Sequence, residues 1–283
     1  MSNDEMVQYW NDSAGPVWVA QQQRLDAQIG PLGVRTRDRA MLRSGERVLD
    51  VGCGCGGTTL ELAGDVGAGG RVVAVDISRP MLERGKQRAR AEGLEACIDW
   101  RLDDAQTAPF EGAAFDLIFS RFGVMFFADP VAAFTNLRRA LRPGGRLAFV
   151  CWQPRDKNPW MLAPALAAAQ HIAFPAPPAP DAPGPFAFGD AARVRGILER
   201  AGFVDVAHDA VNEPMRLAGD SVEEALELCL QIGPVGAALR EAKPSDEARA
   251  RVIGAVRQVI ESFETSRGIE AEAGAWIVTA RNA

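Results

Sequence analysis

The chain has 283 residues, 47% hydrophobic and 24% charged, a globular composition long enough for one large domain or one domain with a cap. A net charge of -6 gives no electrostatic ground for binding nucleic acid. No run approaches the roughly 18 consecutive apolar residues of a membrane span.

The opening residues Met1-Ser2-Asn3-Asp4-Glu5 are polar and acidic, unlike a signal peptide. The five cysteines have neither disulfide-scaffold nor four-ligand zinc spacing, so the cytoplasm is the expected compartment and no metal is expected. Residues 5–43 read as helical through Trp18, Gln22, Leu25 and Ile29, with Gly30-Pro31-Leu32-Gly33 expected to break the helix. Residues 46–152 then alternate strands at 47–51, 71–75, 97–102, 114–120 and 145–152 with helices at 56–65, 79–92 and 130–141. That alternation is the pattern of a parallel α/β sheet. Arg84, Lys86, Arg88 and Arg90 are interleaved with Glu83 and Glu92, which predicts a solvated helix face. Phe174 to Gly189 is dominated by Pro and Ala and is expected to cross the surface as an extended gate. A helix at 190–201 and a strand from Phe203 to Asn212 follow. Ser221-x-x-Glu224 forms a capping box, Gly233-Pro234 interrupts its helix, and 246–264 is amphipathic. Ala275 to Ala280 closes as a strand. The expected organisation is an N-terminal helical cap at 1–45, a ligand-binding core at 46–152 and a lid at 153–189. A core helix and strand at 190–213, a helical cap at 214–270 and a final core strand at 271–283 complete it.

The chemistry concentrates where Val48-Leu49-Asp50-Val51 runs into Gly52-Cys53-Gly54-Cys55-Gly56-Gly57. Glycine reaches φ > 0 freely and lets a ligand sit on bare backbone. The next strand ends in Asp76, suited to accept hydrogen bonds from a ribose diol. Gly52-x-Gly54-x-x-Gly57 with Asp76 about 20 residues on formally satisfies the dinucleotide fingerprint. Asp50, two residues before the first glycine, favours a cationic ligand over a pyrophosphate. S-adenosylmethionine offers a sulfonium and an amino group for Asp50 and a ribose for Asp76.

The stretch from Asp50 to Gly56 resembles motif I of the class I S-adenosylmethionine-dependent methyltransferases. The similarity continues through Ala74-Val75-Asp76-Ile77-Ser78, Asp103-Asp104-Ala105, Phe115-Asp116-Leu117-Ile118-Phe119-Ser120 and Leu141-Arg142-Pro143-Gly144-Gly145-Arg146-Leu147. Within that family it is similar to the ubiquinone/menaquinone C-methyltransferase-like branch, which acts on small molecules. The resemblance implies a Rossmann-like, mostly parallel seven-stranded α/β sheet whose antiparallel last strand inserts between the fifth and sixth, with a helical cap. It implies a cofactor cradle of Gly52, Gly54 and Gly56, with Ile77 and Met81 on the adenine. Asp104, beside Ala105, would accept from the adenine amino group, and Ser120 and Arg121 would floor the sulfonium largely through backbone.

Trp10 and Trp18 could shield the cofactor or pack the cap, and Trp152 and Trp160 could shape an apolar acceptor pocket. The expected reaction is in-line methyl transfer to a small, apolar or aromatic acceptor. Neither His171 nor His208 is assigned as a base, and no catalytic residue is named. Monomer and homodimer stay open. The alternatives are a nicotinamide-dependent oxidoreductase and a non-catalytic nucleoside-binding protein on the same fold.

Overall fold

The computed structural model describes residues 3–174, 179, 181–217 and 221–283. Its sheet is built from β1 (Arg47–Val51), β2 (Arg71–Asp76), β3 (Ile98–Leu102), β4 (Phe115–Arg121), β5 (Leu141–Trp152), β6 (Phe203–Arg216), β7 (Glu264–Thr265) and β8 (Gly268–Asn282). The order is β3-β2-β1-β4-β5-β8-β6, with β7 paired only to β8. The first five strands run parallel, and β8 inserts antiparallel between β5 and β6. Residues facing opposite sides of β1, such as Val48 and Leu49, are both fully buried. Burial on both faces is why the central strands read as continuous apolar runs rather than alternating ones.

On the face bearing Val48, Val72, Leu117 and Phe119 lie α4 (Gly57–Val66) and α5 (Arg79–Ala91). The other face carries α6 (Pro130–Ala140) and α8 (Ala191–Arg200), packed through Phe134, Leu137, Ile197 and Leu198. Two covers complete the molecule. The N-terminal one comprises α1 (Asn3–Gln8), one π-helical turn at Tyr9–Ser13, α2 (Ala14–Ala20) and α3 (Gln22–Ala40). The C-terminal one comprises α7 (Pro159–Ala168), α9 (Val222–Gln231), α10 (Gly233–Ala242) and α11 (Asp246–Glu261).

Three expectations are corrected. The Gly30–Gly33 stretch does not break the helix: α3 runs unbroken through Pro31 and lies across β4, β5 and β8. Pro31 removes one donor to the Ala27 carbonyl, but both residues are exposed, so water can satisfy the oxygen. Gly33 instead permits close approach, since a Cβ there would lie 3.0 Å from Arg121 Cδ. The sixth and last strands are longer than the 203–212 and 275–280 expected, pairing out to Arg216 and Glu270.

The expected gate is largely a brace. Gly184 N–H donates to the Met125 carbonyl at 3.1 Å, and Trp276 Nε1 donates to the Gly189 carbonyl at 2.8 Å. Arg193 Nη1 donates to the Ala187 carbonyl at 2.8 Å. Phe188 is buried against Phe134 and Phe149. Residues 175–178 and 180 of the proline-rich run lie outside the described residues.

Candidate cofactor site

The carboxyl ends of β1, β2 and β4 meet beneath the N-terminal cover, and most of the expected site residues converge there. Gly52, Gly54 and Gly56 adopt φ of +68°, +55° and +78°. A side chain at any of them would be strained. Gly52 and Gly123 touch backbone to backbone, so a Cβ on Gly52 would sit 2.7 Å from Gly123 Cα. At Gly54 a Cβ would sit 2.9 Å from Met81 Cε, which places Met81 over the loop.

Asp76 is the best-organised group. Its Oδ2 accepts from Gly54 N–H and its Oδ1 from Ser78 N–H, both at 2.8 Å. The side chain is half-buried, and each oxygen keeps a lone pair for another donor. Burial pushes its carboxyl above the usual range, opposed by the N–H groups of Ser78, Gly54 and Ile77. Asp103 N–H donates to the Asp76 carbonyl at 3.1 Å, which brings the 103–105 turn alongside. There Asp103 is exposed and accepts from Asp104 N–H, whereas Asp104 is half-buried and its Oδ1 accepts from Gln106 N–H. Ala105 is buried, and its carbonyl accepts from Asn136 Nδ2.

Asp50 is 1% exposed, and its Oδ2 accepts from the Thr59 hydroxyl at 2.6 Å. Burial pushes its carboxyl up to about 6, although the Thr59 hydrogen bond and the Arg121 charge pull it down. Ser120 is fully buried and ties β4 to β1 by donating to the Val51 carbonyl at 2.8 Å. Two expected residues have other employment. The space beside Gly56 is filled by the Trp100 indole, with Cη2 2.7 Å from a Cβ position there, and Gly85 accommodates the same ring. The Arg121 side chain turns away to α3, where its Nη2 meets Asp26 Oδ1 at 2.8 Å.

Sequence reasoning missed the residues that hold the cover down. Asn11 donates to the Ile77 carbonyl at 2.9 Å and accepts from Arg79 N–H at 3.0 Å, clamping the β2–α5 turn. The Ser78 hydroxyl donates to the Trp10 carbonyl at 2.7 Å rather than capping its own helix. Gly15 is needed at this contact, because a Cβ there would overlap the Trp10 carbonyl oxygen. Asp26 also accepts from Arg88, and Arg88 Nη1 donates to the Cys55 carbonyl at 2.8 Å. Arg84 reaches Gln22. The basic run on α5 is therefore only partly a solvated face. Phe122, with φ of +62°, turns the chain after β4 and stacks on Trp152 at 4.2 Å. Trp152 meets Trp160 at 5.2 Å, while Trp10 packs on Trp18 at 5.7 Å and Phe126 at 5.3 Å. No motif marks Asn11 or Asp26.

His171 lies in the turn after α7, and His208 sits on β6 opposite Val278, on the strand at the sheet's far edge. Burial pulls the His208 imidazole below its usual range.

These features fit a cationic, diol-bearing ligand: two carboxylates at the strand tips, bare glycine backbone between them, and nearby guanidiniums already shared with Asp26. Residues 48–145 match the methyltransferase-domain family model. A nocamycin O-methyltransferase of Saccharothrix syringae is 31% identical over 201 residues, covering 68% of this chain and 71% of that protein. The chain belongs to the class I S-adenosylmethionine-dependent methyltransferases. A ubiquinone/menaquinone biosynthesis C-methyltransferase of Ruegeria is 39% identical over 105 residues, 37% of this chain and 42% of that enzyme. The methyltransferase thus spans less than half the length of that relative. Its fold resembles that of a Haemonchus contortus phosphoethanolamine N-methyltransferase in complex with S-adenosyl-L-methionine, with a TM-score of 0.54 at 18% identity over 89% of this chain and 53% of that one. The family to which the chain belongs is S-adenosylmethionine-dependent. Among the described residues no helix is long and apolar enough to cross a membrane.

Proposed function

We propose that this enzyme methylates a small, apolar or aromatic acceptor by in-line transfer. Asp76 would hold the ribose, Asp50 the methionine amino group, and Gly52 and Gly54 the passing backbone. Ile77 and Met81 would flank the adenine, with Asp104 and Ala105 at its edge, Gly56 beneath the loop, and Ser120 and Arg121 shaping the floor. When bound, S-adenosylmethionine supplies a methyl group on a cationic sulfonium. The chain's own task is then to align, exclude water and keep the site rigid. Asn11 and the Trp10 carbonyl close the cover over the β2–α5 turn. Asp26 fixes the glycine loop through Arg88 and the end of β4 through Arg121. The aromatic groups Trp10–Trp18–Phe126 and Phe122–Trp152–Trp160 give an apolar environment suited to such an acceptor. Relatives named as an O- and a C-methyltransferase leave the accepting atom unspecified.

The observation that carries this reading is the half-buried Asp76 carboxylate, fixed by two backbone N–H groups with acceptor capacity to spare. Calorimetry with S-adenosylhomocysteine tests it. Asp76→Ala should weaken binding by about 1.5–3 kcal/mol, because the lost acceptor is charged. Unchanged affinity would overturn the assignment. Detection of products about 14 Da heavier, one methylene, after incubation with candidate acceptors would establish the transfer.

A further inference from the structure

Between α2, α9, α10 and the start of α11 lies an open depression of about 510 Å³. Its apolar wall comes from Val17, Leu230 and Leu239, and its charged rim from Arg240, Lys243 and Arg249. Among the described residues no acidic side chain lines it. Glu241, Asp246 and Glu247 belong to the same helices but do not line the depression. None of the three rim cations has an ion-pair partner among the described residues; Arg240 Nη1 donates to the Gln231 carbonyl.

Helix electrostatics accounts for part of this. Arg240 and Lys243 stand at the C-terminus of α10, where cations are favoured. Arg249 stands near the N-terminus of α11, where a cation is disfavoured. Three cations without an ion-pair partner among the described residues surround an apolar hollow in a chain of net charge -6, a local field of the opposite sign to the whole.

The hollow borders α2, part of the N-terminal cover that is bonded to the cofactor turn. Val17 precedes Trp18, Trp18 packs on Trp10, and the Trp10 carbonyl is bonded to Ser78, two residues after Asp76. We infer that this depression is the mouth of the acceptor site and that the acceptor is an apolar molecule bearing an anionic group, a carboxylate or an acidic phenol. Arg240, Lys243 and Arg249 hold that group while the apolar body points toward the Trp18–Trp10 pair. This inference rests on the methyl-transfer reading above.

The test uses full-length protein saturated with S-adenosylhomocysteine. Calorimetry compares 2-naphthoate, 2-naphthol and the neutral isostere 2-naphthamide. The expected result is at least about tenfold tighter binding of 2-naphthoate than of the amide, a preference that collapses in 1 M salt as exposed charges are screened. Lys243→Glu/Arg249→Glu should abolish it while leaving S-adenosylhomocysteine affinity and thermal stability unchanged. Arg240 is left intact because it braces the α9–α10 turn. Tighter binding of the naphthol at pH values where it ionises would extend the site to phenolates. Equal binding of naphthoate and amide, no naphthoate binding at millimolar concentration, or a preference that survives charge reversal would overturn the inference. Failure of S-adenosylhomocysteine itself to bind would overturn the underlying methyltransferase reading, and the two failures are read in separate titrations.

Discussion

The two covers over the sheet differ in how far polar contacts supplement apolar burial. The N-terminal cover buries Ile29 and Leu32 of α3 in the core and adds directed polar contacts at the cofactor end: Asn11 on the β2–α5 turn, the Trp10 carbonyl on Ser78, Asp26 between Arg88 and Arg121, and Gln22 on Arg84. The C-terminal cover is held by buried apolar side chains, among them Leu226, Val235, Val252, Val256 and Ile260. Its ion pair between Arg257 and Glu223 is well exposed and contributes little. Hydrogen bonds fix geometry but add only about 0.5–1.5 kcal/mol each, whereas apolar burial adds more and directs less. Cofactor geometry should therefore depend on the first cover and global stability on the second.

The largest effect should come from Ile260→Ala. Ile260 is 1% exposed, and its truncation should cost about 2–5 kcal/mol of stability, read by chemical denaturation. S-adenosylhomocysteine affinity should stay within about twofold, far below what such a cost would mean in binding. If affinity falls in proportion, the division between covers fails.

Asp50 lies beneath the polar cover and gives a pH signature. Its carboxyl is raised from 3.8 to about 6 in the fold. As pH rises between those values the unfolded chain releases its proton first, so the fold loses stability across that window. The full penalty, on the order of 3 kcal/mol, applies above about pH 6 and vanishes below pH 4. Asp50→Asn should accordingly be more stable than wild type at pH 8, with the gap narrowing by pH 5. The same variant should bind S-adenosylhomocysteine more weakly at pH 8. A variant that is stabilised yet binds normally would remove Asp50 from the amino-group site.

Asp26→Ala leaves two partly buried guanidiniums without their carboxylate. A cost of about 2 kcal/mol, between the exposed and buried extremes, is expected. It should appear in both stability and cofactor affinity, since Asp26 bears on the glycine loop and on β4 together. Asn11→Ala should be smaller and more selective, about 1–2 kcal/mol in binding from two lost hydrogen bonds, with little change in melting temperature. An equal loss in melting temperature would show that the π-helical turn is a structural prop rather than a cofactor clamp.

The first βαβ unit was legible because each of its signals is local. Gly52, Gly54 and Asp76 stand at the boundaries of apolar runs, and backbone sterics alone demand glycine there. The inserted position of β8 came from family resemblance, since nothing in residues 275–280 announces which strands they join. What stayed hidden depends on partners far away in sequence. Pro31 is tolerated in α3 because its face is exposed, a tertiary fact that overrode the local breaker signal. Gly56 is constrained as much by Trp100 as by any ligand. Asn11 and Asp26 are single polar residues on ordinary helical surface, recognisable only once the opposing turn is in place. The 181–189 segment looked unanchored because its acceptors and donors, Met125, Arg193 and Trp276, lie on other elements.

The inserted last strand also dictates the order in which this protein can be made. β5 is complete once Trp152 has been synthesised, but its outer neighbour β8 follows about 115 residues later. At about 5–20 residues per second, the β5 edge, with Leu147 to Cys151 fully apolar, stays unpaired on the nascent chain for on the order of ten seconds. An open edge of that composition is a template for pairing with another chain. Ribosome-bound molecules therefore pass through an adhesive stage that the finished sheet conceals, and Asn282, bonded to the Leu141 carbonyl, is among the last residues to end it.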